Sequence, residues 1–199
     1  MLPRSIQNLI NQLSQLPDIG PRAATRLVFY LINQEQKNLD ELSSLIKNLK
    51  TEIHLCSQCF NIASRDNQLC SICQETKRDK GLICLVENIL NIIPLEKTRQ
   101  YNGFYHVLGG LISPVDNIGP ENLRIKELIA RIKKNQSPIK EIIFALSPTT
   151  EGDTTALYIE RLLKPFEIKI SRLGRGLSTG SNLEYIDENT LSNALLGRR

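Results

Sequence analysis

The sequence predicts a multidomain α/β chain with four parts in order: an N-terminal helical hairpin domain, a small four-cysteine segment, a mainly parallel α/β sheet domain, and a C-terminal Gly-rich loop with a helix. Three observations carry this reading. Apolar residues recur at helical spacing before residue 54, two Cys-x-x-Cys pairs lie within residues 56–73, and short apolar runs alternate with helical stretches from Gly81 onwards. The implied boundaries are 1–53, 54–76, 80–175 and 176–199. With 41% hydrophobic and 23% charged residues in 199, the chain is too apolar for disorder. It has no apolar block long enough for a membrane span, and its polar-punctuated N-terminus is unlike a secretion signal, so a cytoplasmic protein is expected. A net charge of +4 is compatible with nucleic-acid binding without requiring it.

In the first part, Ile6, Leu9, Ile10, Leu13 and Leu16 follow a helical period, "PDIGP" interrupts it, and Ala24, Leu27, Val28, Leu31 and Ile32 resume it. Gly20 is expected to allow close backbone approach, and Pro21 suits the first position of the second helix. The free N–H groups there form an anion pocket that a phosphate would fit. Arg22 and Arg26 lie four apart on one face of that helix, within reach of the same nucleic-acid backbone. The alternative is an ordinary helical hairpin. A third amphipathic stretch, marked by Leu39, Leu42, Leu45, Ile46 and Leu49, completes this part.

Cys56, Cys59, Cys70 and Cys73 form two pairs separated by ten residues. In a reducing compartment such pairs are poor disulfide candidates, whereas four thiolates complete a closed tetrahedral set for one structural Zn2+. The loop between them, "FNIASRDNQL", has too few apolar residues to make a core alone. An iron–sulfur cluster or a redox pair is the alternative. His54 is read as a surface or packing residue and Cys84, inside "LICLVE", as a buried core thiol.

In the third part, "GLICLVE", "GFYHVLGG", "EIIFALS" and "EIKISRL" read as strands, with helices in "PENLRIKELIARIKKN" and "TTALYIERLLKPF". Such alternation implies a mainly parallel sheet whose strand C-terminal ends share one functional edge. Glu87 ends the first strand, and Glu151 and Asp153 follow the third, so three carboxylates at that edge could hold Mg2+. The plainer reading is that Glu151 or Asp153 caps a helix beginning near Thr154. The Gly spacing near Gly176 and Gly180 lacks the Gly-Lys-Ser/Thr ending of a phosphate-binding loop. The nearby Arg172 and Arg175 could serve DNA or a partner.

"LPDIGPRAATRL" resembles the helix-hairpin-helix motif, which grips DNA phosphates without reading sequence; Asp18 stands where such hairpins commonly have a Gly. "LICLVE" with the later Glu151-Gly152-Asp153 resembles the Toprim domain, whose usual Asp-x-Asp here begins with Glu. Together with "CSQCF…CSIC", "YHVLGGLISPVDNIGPENL" and "GRGLSTGSNLEYIDENTL", the ordered set resembles the RecR family of bacterial recombination proteins over essentially the whole chain. Ser178, where Pro is more usual, and Ser181, where Gly is common, are further departures.

The resemblance implies a non-enzymatic, nucleoid-associated mediator of DNA repair. It would bind single- and double-stranded DNA, act with RecO and RecF to load the RecA recombinase at gaps, and form a homotetrameric ring. DNA contact would fall to Gly20, Arg22 and Arg26, and contact with RecO, or Mg2+, to Glu87, Glu151 and Asp153. The competing reading is a Mg2+-dependent nuclease, topoisomerase or primase-like enzyme. That chemistry needs a nucleophile, and Tyr101, Tyr105, Tyr158 and Tyr185 are read as packing residues.

Overall fold

The computed structural model describes residues 2–134 and 137–198; the expected end of one helix at Asn135 lies outside the described residues, as do the terminal residues Met1 and Arg199. The described residues divide into two compact units, one ending at Glu52 and the other beginning at Ile53.

The first unit is helical: α1 (Arg4–Leu13), α2 (Pro21–Ile32) and α3 (Gln36–Glu52). Ile10, Ala24 and Val28 form its small buried cluster, backed by Ile6, Leu13 and Ile19. Leu16 falls beyond α1 in the turn, and α2 begins at Pro21, the position whose missing N–H costs a helix nothing. α3 buries no residue, and Leu42, Leu45, Ile46 and Leu49 are exposed along it.

The second unit opens with a hairpin of β1 (Ile53–Leu55) and β2 (Ile62–Ser64), followed by the single turn α4 (Ser71–Gln74). A four-stranded sheet then forms from β3 (Asp79–Val86), β4 (Gly103–Val107), β5 (Glu141–Ala145) and β6 (Lys169–Arg172). Its order is β4-β3-β5-β6 and every pair is parallel. Between the strands lie α5 (Ile92–Lys97), α6 (Ile125–Lys134) and α7 (Thr150–Leu163), with α8 (Glu188–Leu196) near the C-terminus.

β3 is central and hydrophobic on both faces, as a parallel strand covered on both sides must be. Ile83 and Leu85 pack with Leu128 of α6 and Ile159 and Leu163 of α7. Cys84 and Val86 face the other way, with Tyr105, Val107 and Ile92 of α5, and the cysteine segment adds Phe60 and Ile72 to that side. Cys84 is accordingly buried, 3% exposed. Among the described residues, no helix is long and apolar enough to cross a membrane.

A polar network fastens the end of the cysteine segment to the sheet. Arg78 donates to both carboxylate oxygens of Glu96, at 2.9 and 2.5 Å, to Gly103 O at 3.0 Å and to Glu75 at 2.8 Å. Tyr105 Oη donates to Glu96 Oε1 at 2.7 Å. The Arg78 guanidinium holds the Glu96 carboxyl below the usual range, burial opposes this, and the Tyr105 hydroxyl adds to the lowering. Such a group stabilises the fold above its unfolded pKa, and that stability is lost as pH falls through the lower folded value. Glu96→Gln is therefore expected to cost about 1–3 kcal/mol at pH 7. Urea midpoints of the variant and the parent should draw together as the pH falls from about 4, the ordinary carboxyl range, through the lower folded value. A gap that persisted unchanged at pH 3 would show that the charge is not the source.

Candidate functional site

Cys56 follows β1, where its N–H donates to Asn61 O at 2.7 Å and its carbonyl accepts from Phe60 N–H at 3.0 Å, closing the first knuckle. Phe60 sits at φ 63°, an uncommon conformation for a bulky residue. Its ring is held edge-on to His106, with centroids 5.4 Å apart, and under the Arg124 guanidinium at 5.1 Å. Cys70 caps α4, which carries Cys73.

The four Sγ atoms lie within 4.8 Å of one another, and Cys59 Sγ is 3.5 Å from Cys70 Sγ. Tetrahedral zinc with Zn–S bonds of about 2.3 Å requires sulfurs about 3.8 Å apart, so the set fits one ion. A multi-iron cluster would have to spread the sulfurs further. The thiols compete for charge. Cys70 is lowered, chiefly because Cys59 and then Cys73 hydrogen-bond to it, and Cys59 is raised, first by that same contact. One thiolate is thus stabilised at the expense of its neighbours, and a divalent cation is what allows all four to ionise together.

In the hairpin, Gly20 caps α2 with φ −76°, and its carbonyl accepts from Ala24 N–H at 3.0 Å. Among the described residues, no side chain caps the first N–H groups of α2, which stay available to an anion. A Cβ on Gly20 would meet nothing within 4 Å, so the space beside this terminus is open. The left-handed residue is Asp18, at φ 62°. This is why glycine is common there, and aspartate is among the few side chains that visit the region readily. Arg22 and Arg26 are both exposed, and neither forms an ion pair among the described residues.

The acidic edge lies where the strand order reverses, between β3 and β5. Glu87 follows β3 and accepts from Ser147 Oγ at 2.7 Å, while its Oε2 is buried with no partner. Glu151 and Asp153 stand inside the first turn of α7, which begins at Thr150, with Thr149 accepting from Gly152 N–H at 3.1 Å as its cap. The cap is therefore threonine, and the helix starts four residues before the expected Thr154.

Asp153 is engaged by Arg172 at 2.9 Å and by Arg175 at 2.5 and 3.2 Å. The Arg175 contact holds its carboxyl below the usual range. Among the described residues, only the four cysteines bring three or more potential ligand atoms together; Glu87, Glu151 and Asp153 do not form such a group. Gly152 separates the two acids for a steric reason, since a Cβ there would come 2.0 Å from Ser147 O. Gly152→Ala is expected to lower stability by about 1–3 kcal/mol through overpacking, read as a lower urea midpoint.

Three family models match the chain: RecR, helix-hairpin-helix over residues 6–50, a Toprim domain over 81–174, and RecR, C-terminal over 176–199. Recombination protein RecR of Amoebophilus asiaticus is 49% identical over 193 residues, covering 97% of this chain and 94% of that protein. This chain belongs to the RecR family. The RecR proteins of Chloroherpeton thalassium, 43% identical over 196 residues, and Finegoldia magna, 46% over 201, are also similar. They cover 98% and 100% of this chain, and 96% and 98% of their own lengths.

Within this RecR-family chain the tyrosines divide. Tyr101 and Tyr105 pack edge to face at 5.2 Å, and their hydroxyls donate to Phe104 O and Glu96. Tyr185 departs from the packing expected of it: it is 82% exposed, on a short turn beside the exposed Leu183. The departure at Ser178 and Ser181 is a local turn, in which Ser181 N–H and Oγ both donate to Ser178 O. The Arg172 and Arg175 pairing with Asp153 was not legible in the sequence, because 19 and 22 residues separate the partners.

Proposed function

We propose that this RecR-family chain is a DNA-binding mediator of recombinational repair, acting without catalysis of its own. Supporting this most directly are Arg22 and Arg26, exposed and unpaired one helical turn apart, beside the uncapped N-terminus of α2. Cationic groups and free N–H donors in that arrangement suit phosphates of any sequence. Gly20 leaves open space at the same terminus for a backbone to approach. The working division is a hairpin domain over 1–53, a zinc finger over 54–76 with one structural Zn2+ per chain, a Toprim domain over 80–175 and a C-terminal segment over 176–199.

The chain acts with RecO and RecF to help load RecA at single-stranded gaps, in the cytoplasm and on the nucleoid. Glu87, Glu151 and Asp153 serve contact with RecO in preference to Mg2+, a choice supported by the arginine pairing of Asp153. A homotetrameric ring is supported by the exposed leucines and isoleucine of α3, an apolar face that another copy would cover.

The test combines three measurements. Anisotropy with unrelated single- and double-stranded oligonucleotides should give salt-sensitive, sequence-tolerant binding, and light scattering with and without DNA should give four chains per particle. Adding the chain with RecO and RecF should speed RecA assembly on gapped DNA; no acceleration would remove the mediator role. Mg2+-dependent cleavage of plasmid, abolished by Glu87→Gln, would instead establish an enzyme.

A further inference from the structure

β4 is one of the two edge strands of its sheet, and two of its backbone groups are taken up by other parts of the same unit. Val107 N–H donates to Cys59 O at 2.9 Å, and two residues earlier Tyr105 O accepts from Arg131 Nη1 at 2.6 Å. Residues two apart on a strand are separated by about 7 Å, so the α6 guanidinium and the first cysteine knuckle are pinned as neighbours along one edge. Arg131 also lines one cavity with Phe60 and with Ser57 and Gln58, the two residues between Cys56 and Cys59.

No carboxylate forms an ion pair with Arg131 among the described residues, although Glu127 lines the same cavity. Burial pushes the Arg131 guanidinium down, and the nearby sulfurs, Cys73 first, then Cys59 and Cys56, oppose this. A divalent ion held by four thiolates has a net negative charge, and a partly buried net charge is costly unless something opposes it. Backbone N–H groups offer part of that opposition, from Asn61 toward Cys59 and from Cys73 toward Cys70. Neither carries a full charge.

We propose that Arg131 is the counter-ion of the four-thiolate metal centre, a positioning and charge-balancing residue supplied to the finger by the sheet domain. This rests on the zinc reading above. The metal centre is then completed only when the finger docks on β4, which links metal retention to the integrity of the sheet. Among the described residues the Arg131 side chain is hydrogen-bonded to the Tyr105 carbonyl alone, and the charge and the hydrogen bond can be separated by substitution.

Arg131→Gln keeps a donor for Tyr105 O and removes the charge; Arg131→Lys keeps both a donor and the charge. The full-length zinc-loaded chains would be purified without chelator, their metal content measured, and a fluorescent zinc chelator titrated against them at fixed pH. The parent and the Lys variant should hold one zinc per chain with similar affinity, and the Gln variant should hold it about 10–100-fold more weakly, the usual size of an outer-shell effect on metal affinity. A Gln variant as tight as the parent overturns the proposal, as does a Lys variant that folds but falls as far as Gln. Where Gln does not fold, the Lys variant decides: parental retention supports the role and tenfold faster zinc release refutes it. A parent without zinc overturns both this inference and the zinc reading, whereas a zinc-loaded parent with an unaffected Gln variant overturns this inference alone.

Discussion

Cys70→Ser is expected to strip the chain of stoichiometric zinc and to unfold the segment around residues 54–76. The buried cluster there consists of Cys56, Cys59, Cys70 and Ala63, with Leu69, Ile72 and Cys73 against it, so the four cysteines themselves make up most of the core. Structural zinc binding is worth about 10–16 kcal/mol in isolated zinc-finger peptides at neutral pH, comparable with the whole stability of a domain. A serine hydroxyl in place of one thiolate forfeits a large share of this. The damage should reach the sheet, because Cys59 O holds Val107 N–H and Phe60 packs into the cluster around Val86. Metal analysis and limited proteolysis are the measurements. Full zinc content with an unchanged cleavage pattern would show that Cys70 is not a ligand.

Arg22→Glu with Arg26→Glu is expected to weaken DNA binding about 10–100-fold near 0.1 M salt, while stability stays within about 0.5 kcal/mol, as for exposed substitutions generally. Both side chains are exposed, and neither forms an ion pair among the described residues. The salt dependence offers a sharper test than affinity. Each phosphate contact adds about 0.9 to the slope of log affinity against log salt, so neutralising both arginines to Gln should lower the slope by about 2 for each engaged chain. Zinc content should not change. A double Glu variant with the parental affinity and slope would place the DNA grip elsewhere.

These expectations differ in how far they could be reached from residue order. Cys-x-x-Cys spacing constrains where thiolates can go, and the apolar runs at Gly81–Glu87 and Glu141–Ser147 are dense enough to mark buried parallel strands. Shorter elements lie below such patterns. β1 and β2 have three residues each, α4 four, and α5 six with Pro94 inside it, all too few for a period to emerge. The start of α7 lies before the expected Thr154 because "SPTTEGD" offers several capping residues, and only the backbone path shows that Thr149 receives Gly152 N–H. Asp18 and Gly20 illustrate a similar limit: the turn needs one left-handed residue, and their order alone does not say which.

Local order along the chain was enough to determine the helical hairpin, the four-sulfur set, the alternating strands and helices, and the family, because each of these is carried by residues close in sequence. Tertiary structure alone decided which charges meet. Asp153 is drawn to Arg172 and Arg175, and Arg131 is anchored on the strand edge that also receives Cys59. Electrostatic partnership depends on distance and burial in space, and parallel strand order brings together side chains that residue spacing keeps far apart.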